Sequence, residues 1–280
     1  MTSNLFEQPS AGSSAPRKIP VFDMVKTGCE TVFKDFDSFL HAAMNWALVA
    51  IGCVVARFVA ALWFGFAIGG IVGILASIGV LVATTAFLVG WHRHILLGAP
   101  LTGAMVFDAR ERRFFLYALA PVAVAFVAMA LMLSVAILGT ASGDGGDGGV
   151  FGPASIIGFL IIVGALIVSP RLVLFAPLAA LDTPGNLFVR AWEISRGNGL
   201  RLFGGLFVIG LLFEIPMAIL RPILAVILGR TLSLFLWTGL HEAVAFAEVA
   251  CMAGFLCYAF SHIVDRKLPL ALAAGGANRS

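Results

Sequence analysis

Charge is scarce in this chain: of its 280 residues, 12% are Asp, Glu, Lys or Arg, whereas 60% are hydrophobic. Soluble domains carry about 25% charged residues, because their surfaces face water. A compact soluble fold of this length could not cover so much apolar surface, since accessible area rises steeply with mass. The composition therefore excludes a soluble enzyme, a nucleic-acid-binding domain and a disordered chain, and it leaves an integral membrane protein.

The chain has few cysteines, and it lacks motifs for metal ions or phosphate groups. The four cysteines form no C-x-x-C pair, so we expect thiols that pack as small apolar residues: Cys29, Cys53, Cys251 and Cys257. The glycine-rich stretch 143–149 lacks the Lys-Ser/Thr ending of a phosphate loop. Its two aspartates are too few ligands for calcium. The sequence therefore predicts no cofactor and no bound metal ion.

The start of the sequence predicts no secretory signal either. Such a signal needs roughly 7–15 consecutive apolar residues near the start, and the first 20 residues contain no such run. We expect the first membrane span to serve as the insertion signal. Residues 9–16 are rich in Ser, Ala, Pro and Gly, which predicts a disordered cytoplasmic tail over 1–20. The Ala- and Gly-rich segment 268–280 is expected to be a second flexible tail.

Long apolar stretches fill most of the chain between these tails. They total about 150 residues, and a helix needs about 20 apolar residues to cross a bilayer. We therefore expect an all-α polytopic membrane helix bundle, a single domain over 21–267 with about six transmembrane helices. The expected spans lie near 39–62, 67–91, 114–138, 155–176, 200–220 and 237–262.

Two amphipathic segments are predicted to lie in the membrane surface. Over 21–36 the apolar residues recur at mostly three- and four-residue steps, with charged residues on the other face. A second interfacial helix is expected over 184–196, started by the Asp-Thr-Pro sequence at 182–184. Proline at 222 is expected to end the fifth span. The segment 222–236 is then either a surface or re-entrant helix or an extension of the sixth span.

Lysine and arginine predict the orientation, because they accumulate in cytoplasmic loops. In the six-span arrangement 15 of them fall on one side, and three fall on the other: Arg57, Arg221 and Arg230. Both termini are therefore expected in the cytoplasm.

A row of small residues in the second span recurs at every fourth position: Gly65, Gly69, Gly73 and Ser77. Membrane helices use such rows to bring their backbones close together. Packing within one molecule is favoured over dimerisation here, although both use the same physics.

The segments 169–177 and 191–203 resemble a large group of uncharacterised bacterial six-span membrane proteins. They are also similar to the membrane-embedded domain of glycerophosphoryl diester phosphodiesterases. The matching residues are Arg171, Pro177 and the turn made by Ser195, Arg196, Gly197 and Asn198. The resemblance implies the six-span fold and the bacterial inner membrane. It carries over no catalytic residue, since the phosphodiesterase chemistry belongs to a separate soluble domain.

Ionisable residues inside the apolar stretches are the main functional signal, because they are costly in a bilayer. The candidate cluster comprises Glu214, Glu248, His241, Glu242, Arg57 and Arg221. Glu214 and Glu248 each lie about 20 Å from the cytoplasmic end of their spans. We therefore expect these two carboxylates to meet, either as a structural pair or on a path for solutes or protons.

These features favour a membrane scaffold, assembly protein or regulatory protein. The alternative is a small-solute or proton-coupled transporter that uses the intramembrane carboxylates. An enzyme acting on lipid headgroups ranks third, because no nucleophile–base pair is visible in the sequence. The expected partners are the lipid bilayer and either other membrane proteins or further copies of this chain, but not nucleic acid.

Overall fold

The computed structural model describes residues 18–101, 107–120, 123, 164 and 168–264. Within this part of the chain every regular element is a helix. We number the helices α1 (Val21–Lys34), α2 (Phe36–Gly65), α3 (Ile68–Leu97), α4 (109–120), α5 (Phe175–Ala180), α6 (Leu187–Ile194), α7 (Gly199–Leu228) and α8 (Arg230–Val264).

Four of these helices are long and apolar enough to cross a membrane: α2, α3, α7 and most of α8. At about 1.5 Å per residue, each is roughly 45 Å long. The all-helical class is confirmed for the described residues. The predicted spans 114–138 and 155–176 fall mostly outside those residues, as do most of the tail 1–20, the tail 268–280 and the stretch 143–149.

The long helices form two hairpins, and each hairpin turns at a glycine. Gly65 joins α2 to α3 with φ 76°, and Gly229 joins α7 to α8 with φ 74°. Residues that have a side chain rarely adopt a positive φ, so glycine at these two positions lets the chain reverse its direction without strain. The expected spans near 39–62 and 67–91 bracket the first turn, although the observed helices extend further at their outer ends.

The two hairpins point in the same direction. The Trp91 indole of α3 donates a hydrogen bond to the carbonyl oxygen of Ala250 in α8, at 3.1 Å. One turn away, the rings of Phe87 and Phe246 meet at 5.4 Å. Because α3 and α8 are therefore parallel, one end of the bundle holds both glycine turns. We name this end the tip, and the end with Leu97, Gly199 and Val264 the base.

Two members of the predicted small-residue row lie in the contact between α2 and α3. A Cβ atom built on Gly69 would lie 2.8 Å from the Cα atom of Ala61, and one on Gly73 would lie 3.5 Å from Arg57 Nε. Gly65 forms the turn itself, and Ser77 is exposed, with its hydroxyl bonded to the Gly73 carbonyl. The row therefore contributes packing within one molecule at two positions.

The expected helix break at residue 222 is wrong. Helix α7 continues to Leu228 with both Pro216 and Pro222 inside it. A proline removes one backbone hydrogen bond, whereas ending the helix in apolar surroundings would leave several polar groups without partners. The segment 222–236 consequently divides at Gly229, with its first part in α7 and its last part in α8.

The expected start of the helix near 184–196 is also wrong. Helix α6 begins at Leu187, and its N-terminus is capped by Asn186, whose side-chain oxygen accepts hydrogen bonds from the amides of Phe188 and Val189. Asp182 instead adopts φ 54° in the preceding turn and pairs with arginines of other segments. The tertiary ion pairs thus take the aspartate away from the capping position.

Helix α1 crosses α8 near the base with its backbone in contact. A Cβ atom on Gly28 would lie 2.6 Å from the Phe255 amide nitrogen, and one on Gly254 would lie 2.8 Å from the Gly28 carbonyl oxygen. Val25 and Val32 are buried beside this crossing. The buried face of α1 therefore packs on the protein, while Phe22 and Phe33 of the same helix remain exposed.

The crossing makes a prediction about alanine substitutions. Gly28→Ala should lower the free energy of unfolding by about 1–3 kcal/mol, because the added methyl group meets backbone atoms that cannot move aside. Gly52→Ala is the matched control, since a Cβ atom added to Gly52 on α2 would have nothing within 4 Å. The thermal midpoint of each purified variant in detergent measures the difference. Equal midpoints for both variants would contradict the observed crossing.

Candidate functional site

The ionisable residues of the second hairpin lie midway along it. Glu214 is 15 residues from Gly199 and 15 from Gly229, which is about 22 Å from either end of α7. A Cβ atom built on Gly210 would lie 3.7 Å from Glu248 Oε1. Residue 210 of α7 therefore faces residue 248 of α8. In the same register, Glu214 lies level with the part of α8 that is one turn closer to the tip than Glu248.

Glu214 pairs with a histidine. Its Oε1 atom lies 3.6 Å from His241 Nε2 of α8. The two side chains are 57% and 40% exposed, respectively. Closer to the tip, the Trp237 ring lies 5.8 Å from the His241 ring and 6.0 Å from the Arg221 guanidinium carbon. An acid, an imidazole, an indole and a guanidinium thus follow one another along the outside of the hairpin.

Glu248 lies on the base side of this pair and is half-buried. It shares a face of α8 with His241, because seven residues make almost two full turns. Its carboxylate lies within electrostatic range of both Glu214 and His241. We name Glu214, His241 and Glu248 the polar face. The sequence expectation placed the two carboxylates at equal depth, whereas the turn at Gly229 offsets them by about one helical turn.

The other two predicted members lie apart from the polar face. Arg57 belongs to the first hairpin, where its side chain runs along Gly73. Glu242 is next to His241 in sequence, so its side chain points about 100° away around α8. The structure therefore reduces the predicted cluster of six residues to three on the polar face and one, Arg221, beside it.

The residues that carry the family resemblance meet at the base. The Arg171 guanidinium lies 4.7 Å above the Trp192 ring and packs against Gly199. Buried Ser195 donates to the Trp192 carbonyl, and Pro177 accepts a backbone bond in α5. Arg196 and Gly197 are exposed in the turn after α6. These contacts fix the turn between α6 and α7.

Asn198 and Arg201 hold the chain just before α1. The Asn198 side-chain oxygen accepts a hydrogen bond from the Ile19 amide at 3.2 Å, and Arg201 donates to the Ile19 carbonyl at 2.8 Å. Ile19 itself is fully buried. Side chains of α7 and of the turn before it thus form hydrogen bonds with both the amide and the carbonyl group of Ile19.

A charged group at the base was missed by sequence reasoning. Arg110 donates to both oxygens of Asp182, at 2.8 and 3.0 Å, and Arg93 donates to the same carboxylate at 3.4 Å. Arg110 and Arg93 also line a cavity of about 270 Å³ whose apolar wall includes Trp46 and Phe87. These pairings join segments far apart in sequence, so no local pattern predicts them.

The start of α4 borders this cavity and follows a pattern that the sequence does show. The Asp108 amide donates to Glu111, and the Asp108 side chain accepts from the Arg110 amide, which together form a capping box. The pKa of Glu111 is raised above its ordinary value, mainly by burial and secondly by its hydrogen bond with Asp108. Hydrogen bonds from Glu111 and the Arg110 backbone lower the pKa of Asp108.

The described residues contain no group of three or more His, Cys, Asp and Glu side chains arranged to hold a metal ion. No family model, curated protein or solved structure matches this chain.

Proposed function

We propose that the protein is a multi-pass membrane protein that acts in assembly, with the polar face of α7 and α8 as its binding surface. The supporting observation is the position of Glu214, which is 57% exposed at the middle of a 30-residue apolar helix. A carboxylate at that depth is costly when it faces lipid. Polar side chains at such positions hold transmembrane helices together through hydrogen bonds.

The occupant that fits this surface is the same surface of a second copy. The face carries an acid and a base side by side, at 3.6 Å. A two-fold axis places a surface against itself in reversed order, so Glu214 of each copy would face His241 of the other. Such a dimer replaces lipid with two additional charge-assisted contacts, which lie where the face is most exposed.

Cross-linking tests the dimer. In a variant with all four cysteines changed to serine, Ala218→Cys places a thiol on the exposed side of α7, one turn from Glu214. We expect a bismaleimide to yield covalent dimers in proteoliposomes. Glu214→Leu should reduce their yield about tenfold, because polar contacts between model membrane helices are worth about 1–2 kcal/mol. Glu214→Gln should retain dimers, since an amide still forms hydrogen bonds.

The matched control is Ile74→Cys, which places a thiol on an exposed position of α3 in the other hairpin. It should give no dimers. Equal yields from Ala218→Cys and Ile74→Cys, or no dimer from Ala218→Cys, would reject the proposed surface.

We further propose that the base faces the cytoplasm of a bacterium and that the membrane is the inner one. Residue 18 and residue 264 both lie at the base, which supports termini on one side. Of the Lys and Arg residues described, 11 lie at or near the base and three lie in the tip half. This distribution supports the base as the cytoplasmic side. We also propose that the chain crosses the membrane six times, and that it is similar to the membrane domains of glycerophosphoryl diester phosphodiesterases.

Reporter fusions test the orientation. A reporter fused after Arg279 and a reporter inserted within 91–113 should both give a cytoplasmic signal, because the proposed topology puts both positions on the lysine- and arginine-rich side. A reporter at Gly146 should give an external signal. An external signal from the fusion after Arg279 is incompatible with six spans and cytoplasmic termini.

Proton-coupled transport is the second candidate function, and the succession of Glu248, Glu214 and His241 favours it. These three groups are offset by about one turn each, which suits transfer of a proton along the hairpin. In proteoliposomes, wild-type protein should move protons with a solute from a test panel, and Glu248→Gln should abolish that flux. Glu193→Gln, at an exposed site on α6, should leave it unchanged. Absence of flux in the wild type rejects transport without affecting the dimer proposal.

A further inference from the structure

The crossing of α1 and α8 brings two cysteines together. Cys29 follows Gly28 on α1, and Cys251 lies one turn before Gly254 on α8. A Cβ atom built on Gly28 would lie 3.0 Å from the Cys251 carbonyl oxygen, so the two backbones touch at this point. Cys29 and Cys251 therefore flank this contact, close enough for the two thiols to influence each other. These two residues are 222 positions apart in sequence, and no spacing motif links them.

Backbone contact is the feature that makes this pair suitable for a covalent link. A disulfide requires Cα atoms roughly 4.4–6.8 Å apart, which is closer than most packed helices allow. Ordinary helix packing separates the axes by about 8–10 Å. The glycines at 28 and 254 remove the side chains that would hold α1 and α8 at that ordinary distance.

The two thiols differ in their exposure to solvent. Cys29 is partly exposed on α1, whereas Cys251 is fully buried. Cys29 can therefore react with a small oxidant from the solvent. Cys251 is shielded from the oxidant and can react only with Cys29. Interaction with the Cys251 thiol lowers the pKa of Cys29 below its ordinary value, and the thiolate is the form that reacts.

We propose that Cys29 and Cys251 form an oxidation site at which a peroxide converts the two thiols into a disulfide between α1 and α8. In the first step the Cys29 thiolate attacks one peroxide oxygen, the O–O bond breaks, and hydroxide leaves as water after protonation. This step gives a sulfenic acid on Cys29. In the second step the Cys251 thiol attacks the Cys29 sulfur and the S–O bond breaks. The departing hydroxide takes up the Cys251 proton and leaves as the second water. Two thiols and one hydrogen peroxide thus yield one disulfide and two waters.

The other two cysteines lie elsewhere. Cys53 lies in the first hairpin, with its sulfur against Gly79 of α3. Cys257 is fully buried on α8, nearly two turns beyond Cys251. Neither belongs to the crossing, so both serve as internal controls for selective oxidation.

Oxidation would fix α1 beside the polar face. Cys251 is three residues from Glu248 on the same side of α8, and the two groups interact electrostatically. The disulfide would therefore tie the helix at the base to a position one turn from the carboxylate. This inference stands independently of the proposed dimer, because it depends on contacts within one molecule.

Peptide mapping of the full-length protein in lipid nanodiscs tests the site. After treatment with hydrogen peroxide and blocking of remaining thiols, mass spectrometry under non-reducing conditions should find the Cys29 peptide joined to the Cys251 peptide. Two of the four thiols should be lost, and dithiothreitol should restore both. Cys29→Ser and Cys251→Ser should each abolish the linked peptide, whereas Cys53→Ser should retain it.

Three outcomes would overturn the proposal. One is oxidation of Cys29 to sulfinic acid without a linked peptide. Another is a disulfide that involves Cys53 or Cys257, and the third is a disulfide formed only between two molecules, seen as a dimer on a non-reducing gel. Serine is nearly isosteric with cysteine, and comparison of thermal midpoints for the reduced variants shows whether each is folded. The linked peptide in wild-type protein decides the question even if one variant is unstable.

Discussion

Where α1 crosses α8, the backbone of Gly28 touches that of Gly254, and neither helix has room for a side chain. Much of the base is built around this contact. It fixes α1 against the end of the second hairpin, while Asn198 and Arg201 hold the residue that precedes α1. A helix that the sequence pattern assigns to the membrane surface thereby becomes part of the packed core on one side.

Helix α8 lies at the centre of the described bundle and contacts α1, α3 and α7. Towards α3 it presents Phe246 and the Ala250 carbonyl, which Trp91 uses as a hydrogen-bond acceptor. Towards α7 it presents Glu248 and His241. Helix α8 thus separates the aromatic contact with α3 from the polar face shared with α7. Rotation of α8 about its own axis would disturb both contacts together.

The sequence predicts the helices well because their cause is local. Apolar stretches of sufficient length must form helices in a membrane, and the first hairpin turn falls in the expected gap at Gly65. The register of the second hairpin is not local. It follows from the turn at Gly229, whereas the expected depths of Glu214 and Glu248 were measured from the cytoplasmic ends of their spans. An error of about one turn therefore gave Glu214 the partner Glu248 in place of His241. The pairing of Asp182 with distant arginines likewise displaced the predicted helix cap.

The prolines inside α7 change how that helix can deform. Pro216 and Pro222 have no amide hydrogen, so the carbonyls of Leu212 and Ala218 lose their usual donors four residues ahead. The stretch around Glu214 is therefore held by fewer backbone hydrogen bonds than the half of α7 nearer the base. Bending concentrates at such sites. Any tilt of the tip of the second hairpin would therefore concentrate at this stretch, which carries the pair formed by Glu214 and His241.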